Sequence, residues 1–183
     1  MRVIAGTARS LPLKTPEGND TRPTQDRIKE TLFNILQSDI PGCVFVDCFS
    51  GSGGIGIEAL SRGAAKAYFI ENGARAIACI EQNLVFTKLQ ERAMLIKQEA
   101  YAGLLNIYEK EVDIFFMDPP YNQGYEKRIL SVLSGMRYIT DRTLIVVEAS
   151  LETSFDDLEE LGFVLVREKR YKTNKHAFIR KKQ

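Results

Sequence analysis

The stretch VDCFSGSGGIGIEAL, residues 46–60, limits this chain's fold more than any other. An apolar run ends on an acid, a loop follows with glycines at 51, 53, 54 and 56, and a helical pattern begins. Strand, glycine loop and helix in this order open a βαβ unit, whose strands lie parallel and carry helices on both faces.

The rest of the chain repeats the alternation. Apolar strand patterns occur at CVFVDCF, AAKAYFIE, AMLIK, VDIFFM, TLIVVEA and FVLVREKRY, and HAFIRK closes the chain. Helical spacing fits a helix through about Ser61, GARAIACIEQNLVFTKL, a short helix from Tyr101 to Tyr108, one from Glu126 to Leu133 and one from Phe155 to Leu161. The last two strands are separated only by KTNK, too short for a helical crossover, so they should form an antiparallel hairpin at one edge. Before the first βα unit, TQDRIKETLFNIL reads as an amphipathic helix with Thr24 as its cap. Residues 1–23 look separate: RVIAG fits a short strand, and LPLKTPEGNDTRP is rich in turn formers. The expectation is an N-terminal extension, residues 1–23, and a Rossmann-like domain, residues 24–183.

In open parallel sheets, ligands bind beyond the carboxyl ends of the strands. Glycines in the loop let a ligand approach the backbone, and Asp47 beside them can accept hydrogen bonds from an amine. Glu71 ends the second strand, where an acid takes the two hydroxyls of a ribose. Gly51, Gly53 and Gly56 also satisfy GxGxxG, so a dinucleotide fits the glycines. An acid beside the loop favours a cationic amino-acid moiety over a pyrophosphate.

A third acid closes the fourth strand, in FMDPPY. An aryl amine is a poor nucleophile because its lone pair is delocalised into the ring. If two acceptors hold its two hydrogens, the nitrogen can pyramidalise and aim the pair at a methyl donor. The Asp118 carboxylate and the Pro119 carbonyl can be those acceptors, with Pro119 and Pro120 stiffening the mount. Tyr121 offers a face on which an extruded base can stack.

Composition narrows the class. The 183 residues suit one domain, and no apolar run approaches the roughly 20 residues of a membrane span. The start, MRVIAGTARS, lacks a signal-peptide core, and Cys43, Cys48 and Cys79 lack metal-site or disulfide spacing, so a cytoplasmic protein with reduced thiols is expected. His176 is the only histidine, which argues against His-based metal or triad chemistry. Arg167 to Gln183 carries a net +7 in a chain of net +1, leaving −6 on residues 1–166. A basic end on an acidic body suits an anionic partner.

TRPTQDRIKETLFNIL, DCFSGSGGIGIEALSRGA, FIE and FMDPPY, in this order, resemble the RsmD family of class I S-adenosylmethionine-dependent methyltransferases. The chain departs from that pattern at Ser10-Leu11 and at Glu99. The resemblance implies a Rossmann-like α/β fold with a mostly parallel seven-stranded sheet. It implies methylation of the N2 amine of a guanine in 16S ribosomal RNA, within the small ribosomal subunit, by a monomer. It places catalysis on Asp118, Pro119, Pro120 and Tyr121. Cofactor positions fall on Asp47, Phe49, Gly51, Gly53, Glu71, Asn72, Glu99 and Ala100. Arg9, Arg22 and Arg27 are candidates for phosphate contacts.

Three alternatives share parts of the pattern. A DNA adenine-N6 methyltransferase uses the same amine chemistry but needs a target-recognition domain for which there is little room. A nicotinamide-dependent oxidoreductase leaves Asp118-Pro-Pro-Tyr without a role. A non-catalytic RNA-binding or ribosome-assembly module leaves both Asp118 and the glycine loop without one.

Overall fold

A computed structural model describes residues 1–16 and 23–182. Its seven strands are β1 (Val44–Cys48), β2 (Lys66–Ile70), β3 (Ala93–Ile96), β4 (Ile114–Met117), β5 (Leu144–Ser150), β6 (Phe163–Arg170) and β7 (Asn174–Lys181). They form one sheet in the order β3-β2-β1-β4-β5-β7-β6, with β7 alone antiparallel to its neighbours. The helices are α1 (Pro23–Ile35), α2 (Gly54–Ser61), α3 (Ala74–Thr87), α4 (Ala100–Leu104) and α5 (Tyr125–Ser134).

Strand periodicity divides the core. Side chains alternate between the faces of a strand, so Phe45, Phe69 and Phe116 join one apolar cluster while Val46, Tyr68 and Phe115 join the other. The first cluster takes in residues of α1, α2 and α3, and the second those of α4 and α5. Gly56 allows α2 to lie close on the sheet, since a Cβ there would meet the Phe69 ring at 2.4 Å.

Residues 1–13 pack against the first cluster, burying Val3, Ala8 and Leu13. Their anchor is Glu58 on α2, which is fully buried and accepts hydrogen bonds from the Ile4 and Ala5 amides at 2.7 and 3.0 Å. Lys29 and Arg62 pair with the same carboxylate. Gly6 passes over the end of α2 with φ +85°, where a Cβ would sit 1.8 Å from the Ser61 carbonyl oxygen.

Several local expectations change. RVIAG forms only an isolated bridge, Arg2 to Pro12. α1 begins at Pro23, so Thr24 lies inside the first turn and not at the cap; proline suits that first position because its missing N–H has no helical partner there. The helix expected to reach Tyr108 ends at Leu104, and that expected from Phe155 is a 3-10 turn, Leu158–Leu161. The hairpin stands at the edge as expected, but β7 turns inward against β5 and leaves the charged β6 outermost. Lys and Arg on an edge strand discourage further strand pairing.

Candidate active site

β1 is central, with β2 on one side and β4 on the other. Connections diverge at this switch point, which opens a crevice above the carboxyl ends of the strands. A cleft of about 590 Å³ lies there, lined by Phe49, Glu71, Asn72, Glu99, Ala100 and Asp118 through Tyr121. An adjoining recess of about 190 Å³ takes in Asp47, Gly51 and again Asp118. Acids from three adjacent strands therefore reach one rim.

Each acid has a distinct setting. Asp47 is buried in β1, and its Oδ2 accepts the Gly56 amide at 2.9 Å. Burial pushes its carboxyl up to about 8, against the pull of that amide and with some help from Glu71. The Glu71 carboxylate accepts from the amides of Gly51, Asn72 and Gly73 at 2.8 to 3.0 Å. Those bonds fix it at the cleft wall and leave one acceptor direction on Oε2. Asp118 follows β4 directly and is exposed at the cleft rim, yet desolvation by the cleft walls first, and then Glu148 and Asp47, raise it well above the ordinary carboxylate range.

The glycine loop has the strained turn such a site requires. Phe49 has φ 62°, Gly51 54° and Gly53 77°. A Cβ at Gly51 would meet nothing within 4 Å, so the backbone there faces open space. Gly53 stands directly before α2, as its cap residue. Glu99 caps α4 by accepting the Tyr101 amide at 2.9 Å, and Ala100 begins that helix.

The segment NQGY after the proline motif is the turn into α5 and the cleft wall at once. Asn122 and Gly124 take left-handed φ, and Tyr125 lines the cleft. Its ring meets Phe49 edge-on at 5.4 Å and stacks on Tyr101 at 6.4 Å, with the Arg128 guanidinium 4.7 Å from its centre.

Arg9 and Arg27 come together, lining a recess of about 460 Å³ with Arg2, Asp26 and Glu30 that shares no residue with the cleft. Arg22 lies outside the described residues. Among the described residues, no cluster of three or more His, Cys, Asp or Glu could hold a metal, and no helix is long and apolar enough to cross a membrane.

The sequence reading leaves out Glu148 and Gln25 and sets His176 aside. Glu148 stands near the end of β5 and lines the cleft, as does Gln25 of α1. It accepts from the Tyr121 hydroxyl at 3.0 Å, from Asn174 and from His176 Nε2, also at 3.0 Å. The rule that singled out Asp47, Glu71 and Asp118, an acid closing an apolar strand, applies equally to TLIVVEA. His176 gave no such signal, because its partner is 28 residues away.

Strand order, switch-point cleft and acidic rim together make this a class I, Rossmann-like methyltransferase fold. A precorrin-6y C5,15-methyltransferase from Geobacter metallireducens shares that fold at 18% identity, with a TM-score of 0.65 over 93% of this chain and 94% of that one. The yhhF structure from Escherichia coli is similar at 32% identity, with a TM-score of 0.84 over 100% of this chain and 98% of that one. The family described as Conserved hypothetical protein 95 matches residues 1–180. Escherichia coli Ribosomal RNA small subunit methyltransferase D is 36% identical over 152 residues, covering 83% of this chain and 76% of the relative. The chain belongs to this family, the RsmD methyltransferases.

Proposed function

We propose that this protein transfers a methyl group from S-adenosylmethionine to the N2 amine of a guanine in 16S ribosomal RNA, in the small ribosomal subunit of the cytoplasm. The observation that carries this reading is the convergence of Asp118-Pro-Pro-Tyr with Asp47, Glu71 and the open face of Gly51 on one crevice. The RsmD relatives supply the RNA class.

The residues fit the cofactor. Glu71 presents its remaining acceptor direction to one ribose hydroxyl, Asp47 a carboxylate to the amino-acid ammonium, and Ile70, Ala100 and Phe49 apolar walls to the adenine. When bound, the cofactor supplies an electrophilic methyl on a sulfonium.

The protein's part is to make the amine reactive. Asp118 and the Pro119 carbonyl hold its two hydrogens and localise the lone pair. As the N–C bond forms and the S–C bond breaks, the amine sheds one proton. Asp118, with its affinity for protons raised by desolvation, is placed to receive it. Tyr121 stacks the extruded base. Arg9, Arg22, Arg27 and the basic C-terminal strands meet phosphates.

Incubation with labelled S-adenosylmethionine and small subunits from cells lacking this gene should place label on N2-methylguanine of 16S RNA. Label in DNA, in protein or on adenine would overturn the assignment.

Asp47 makes a second prediction. With its pKa near 8, it is protonated in the empty cleft at pH 7, and a ligand ammonium favours the ionised form. Binding of S-adenosylhomocysteine should release protons and tighten as pH rises from 6 toward 8. Titration calorimetry in buffers of different ionisation enthalpy reads the release, and Asp47→Asn should abolish it. Affinity independent of pH across that range would remove Asp47 from the cofactor site.

A further inference from the structure

Methyl transfer to an amine needs the acceptors at Asp118 and Pro119; it does not by itself need Glu148. Yet Glu148 is Asp118's lateral neighbour, since Met117 of β4 is in register with Val147 of β5. Both carboxylates line the main cleft and a small cavity of about 140 Å³. That cavity also takes in Ile28, Ile55, Phe116, His176 and the buried Lys29, so it offers apolar walls, two adjacent acids and one cation.

We propose that Glu148 selects guanine over adenine, accepting the N1–H of the target base while Asp118 takes a hydrogen of its N2 amine. The inference rests on the methyl-transfer reading above. Guanine presents donors at N1 and N2 side by side. Adenine presents an amine beside a bare N1 acceptor. A carboxylate facing N1 bonds the first and repels the second, and a site built for a donor rejects a base that lacks it.

The surroundings hold Glu148 in the form this role needs. Its Oε1 accepts from Tyr121 and Asn174, and its Oε2 from His176, leaving an acceptor direction on Oε2. His176 is fully buried opposite Glu148 on β7, and its Nδ1 lies 3.1 Å from the Tyr171 hydroxyl. An imidazole that donates from Nε2 to Glu148 and meets the Tyr171 hydroxyl at Nδ1 satisfies both contacts. Burial works to raise the Glu148 pKa, but His176, Tyr121 and Asn174 outweigh it and keep the group low. The carboxylate is thus ionised, fixed and incompletely used.

The test compares small subunits reconstituted with guanine or with 2-aminopurine at the labelled position. 2-Aminopurine keeps the 2-amine but has a bare N1. Wild-type protein should prefer guanine by about 10- to 100-fold in kcat/KM, the worth of one hydrogen bond to a charged group. Glu148→Gln can turn an amide N–H toward a bare N1, so it should lower the guanine rate and shrink the preference by roughly tenfold. S-adenosylhomocysteine binding and the melting temperature report whether the variant is folded, and the wild-type comparison stands without any variant. Equal wild-type rates on the two particles, or a folded Glu148→Gln protein with the preference intact, overturn the inference. Particles with guanine that receive no methyl at all overturn the RNA reading itself, and this inference with it.

Discussion

Asp118→Ala should abolish methyl transfer, lowering kcat by about 100- to 1,000-fold or more, while S-adenosylhomocysteine still binds and the protein melts at a higher temperature. The rate loss is that of a preorganised acceptor removed from the reacting centre. Cofactor binding survives because the proposed cofactor groups, Asp47, Glu71 and the Gly51 loop, come from other elements. The stability gain follows from what Asp118 costs the fold. It stands exposed at the cleft rim beside Glu148 and Asp47, where desolvation by the cleft walls and two like charges work against its ionised form and solvent screens part of that cost. A carboxyl raised above its reference value of 3.8 holds its proton longer in the folded state than in the unfolded one. Between those two pKa values the folded protein binds more protons, so this group's contribution to stability falls as pH rises. The gain from alanine should therefore be larger at pH 8 than at pH 4. A shift of about 2–4 °C corresponds to roughly 1 kcal/mol in a chain of this size, and solvent screening at the exposed rim should keep the gain below that. Calorimetric melting of both proteins at the two pH values, with cofactor titrations alongside, checks all three outcomes. Equal loss of cofactor binding would make Asp118 a cofactor ligand, and a lower melting temperature would make it structural.

Glu58→Ala should have the largest effect on the fold, about 3–5 kcal/mol at pH 7, the usual consequence of removing one partner of a buried ion pair. Glu58 is fully buried and Lys29 only 4% exposed, so the lysine would be left without its main counter-charge. The Ile4 and Ala5 amides would lose their acceptor at the same time. Burial already lowers the Lys29 pKa, with Glu58 opposing the shift. Without Glu58 it falls further, and below the reference value of 10.5 the folded state then sheds a proton that the unfolded state keeps. Part of the lost stability should accordingly return as pH rises from 7 to 9. Urea unfolding at both values reads this, and limited proteolysis should show cutting within residues 1–13 that wild type resists. A loss below about 1 kcal/mol would mean that apolar contacts, not Glu58, hold the N-terminal residues.

Both predictions turn on closely placed charge, and the sequence revealed the two charges unequally. Asp118 was legible because it closes the strand FMDPPY next to prolines that cannot continue it. Glu58 sits in the middle of GIGIEAL, where an acid on a helix is ordinarily solvated. Only the packing of Lys29 and of residues 1–13 over α2 shows that it is buried. The cleft residue Tyr125 and its stacking neighbour Tyr101 were equally silent, because they sit in the first turns of short helices whose approach to Phe49 depends on how those helices lie across the sheet.

The sequence by itself determined the alternation of strands and helices, the glycine turn, the closing hairpin and the acids at three strand ends. These features are local: side-chain period, glycine at positive φ and proline without an N–H act within a few residues of themselves. Tertiary structure alone decided that β7 enters between β5 and β6, and so that His176 faces Glu148 beside Asp118. That choice depends on which strand edges pair and which faces are covered, a competition among surfaces far apart in the chain. No short window of sequence contains both competitors, and for that reason the carboxylate pair beneath the proline motif becomes visible only once the sheet is assembled.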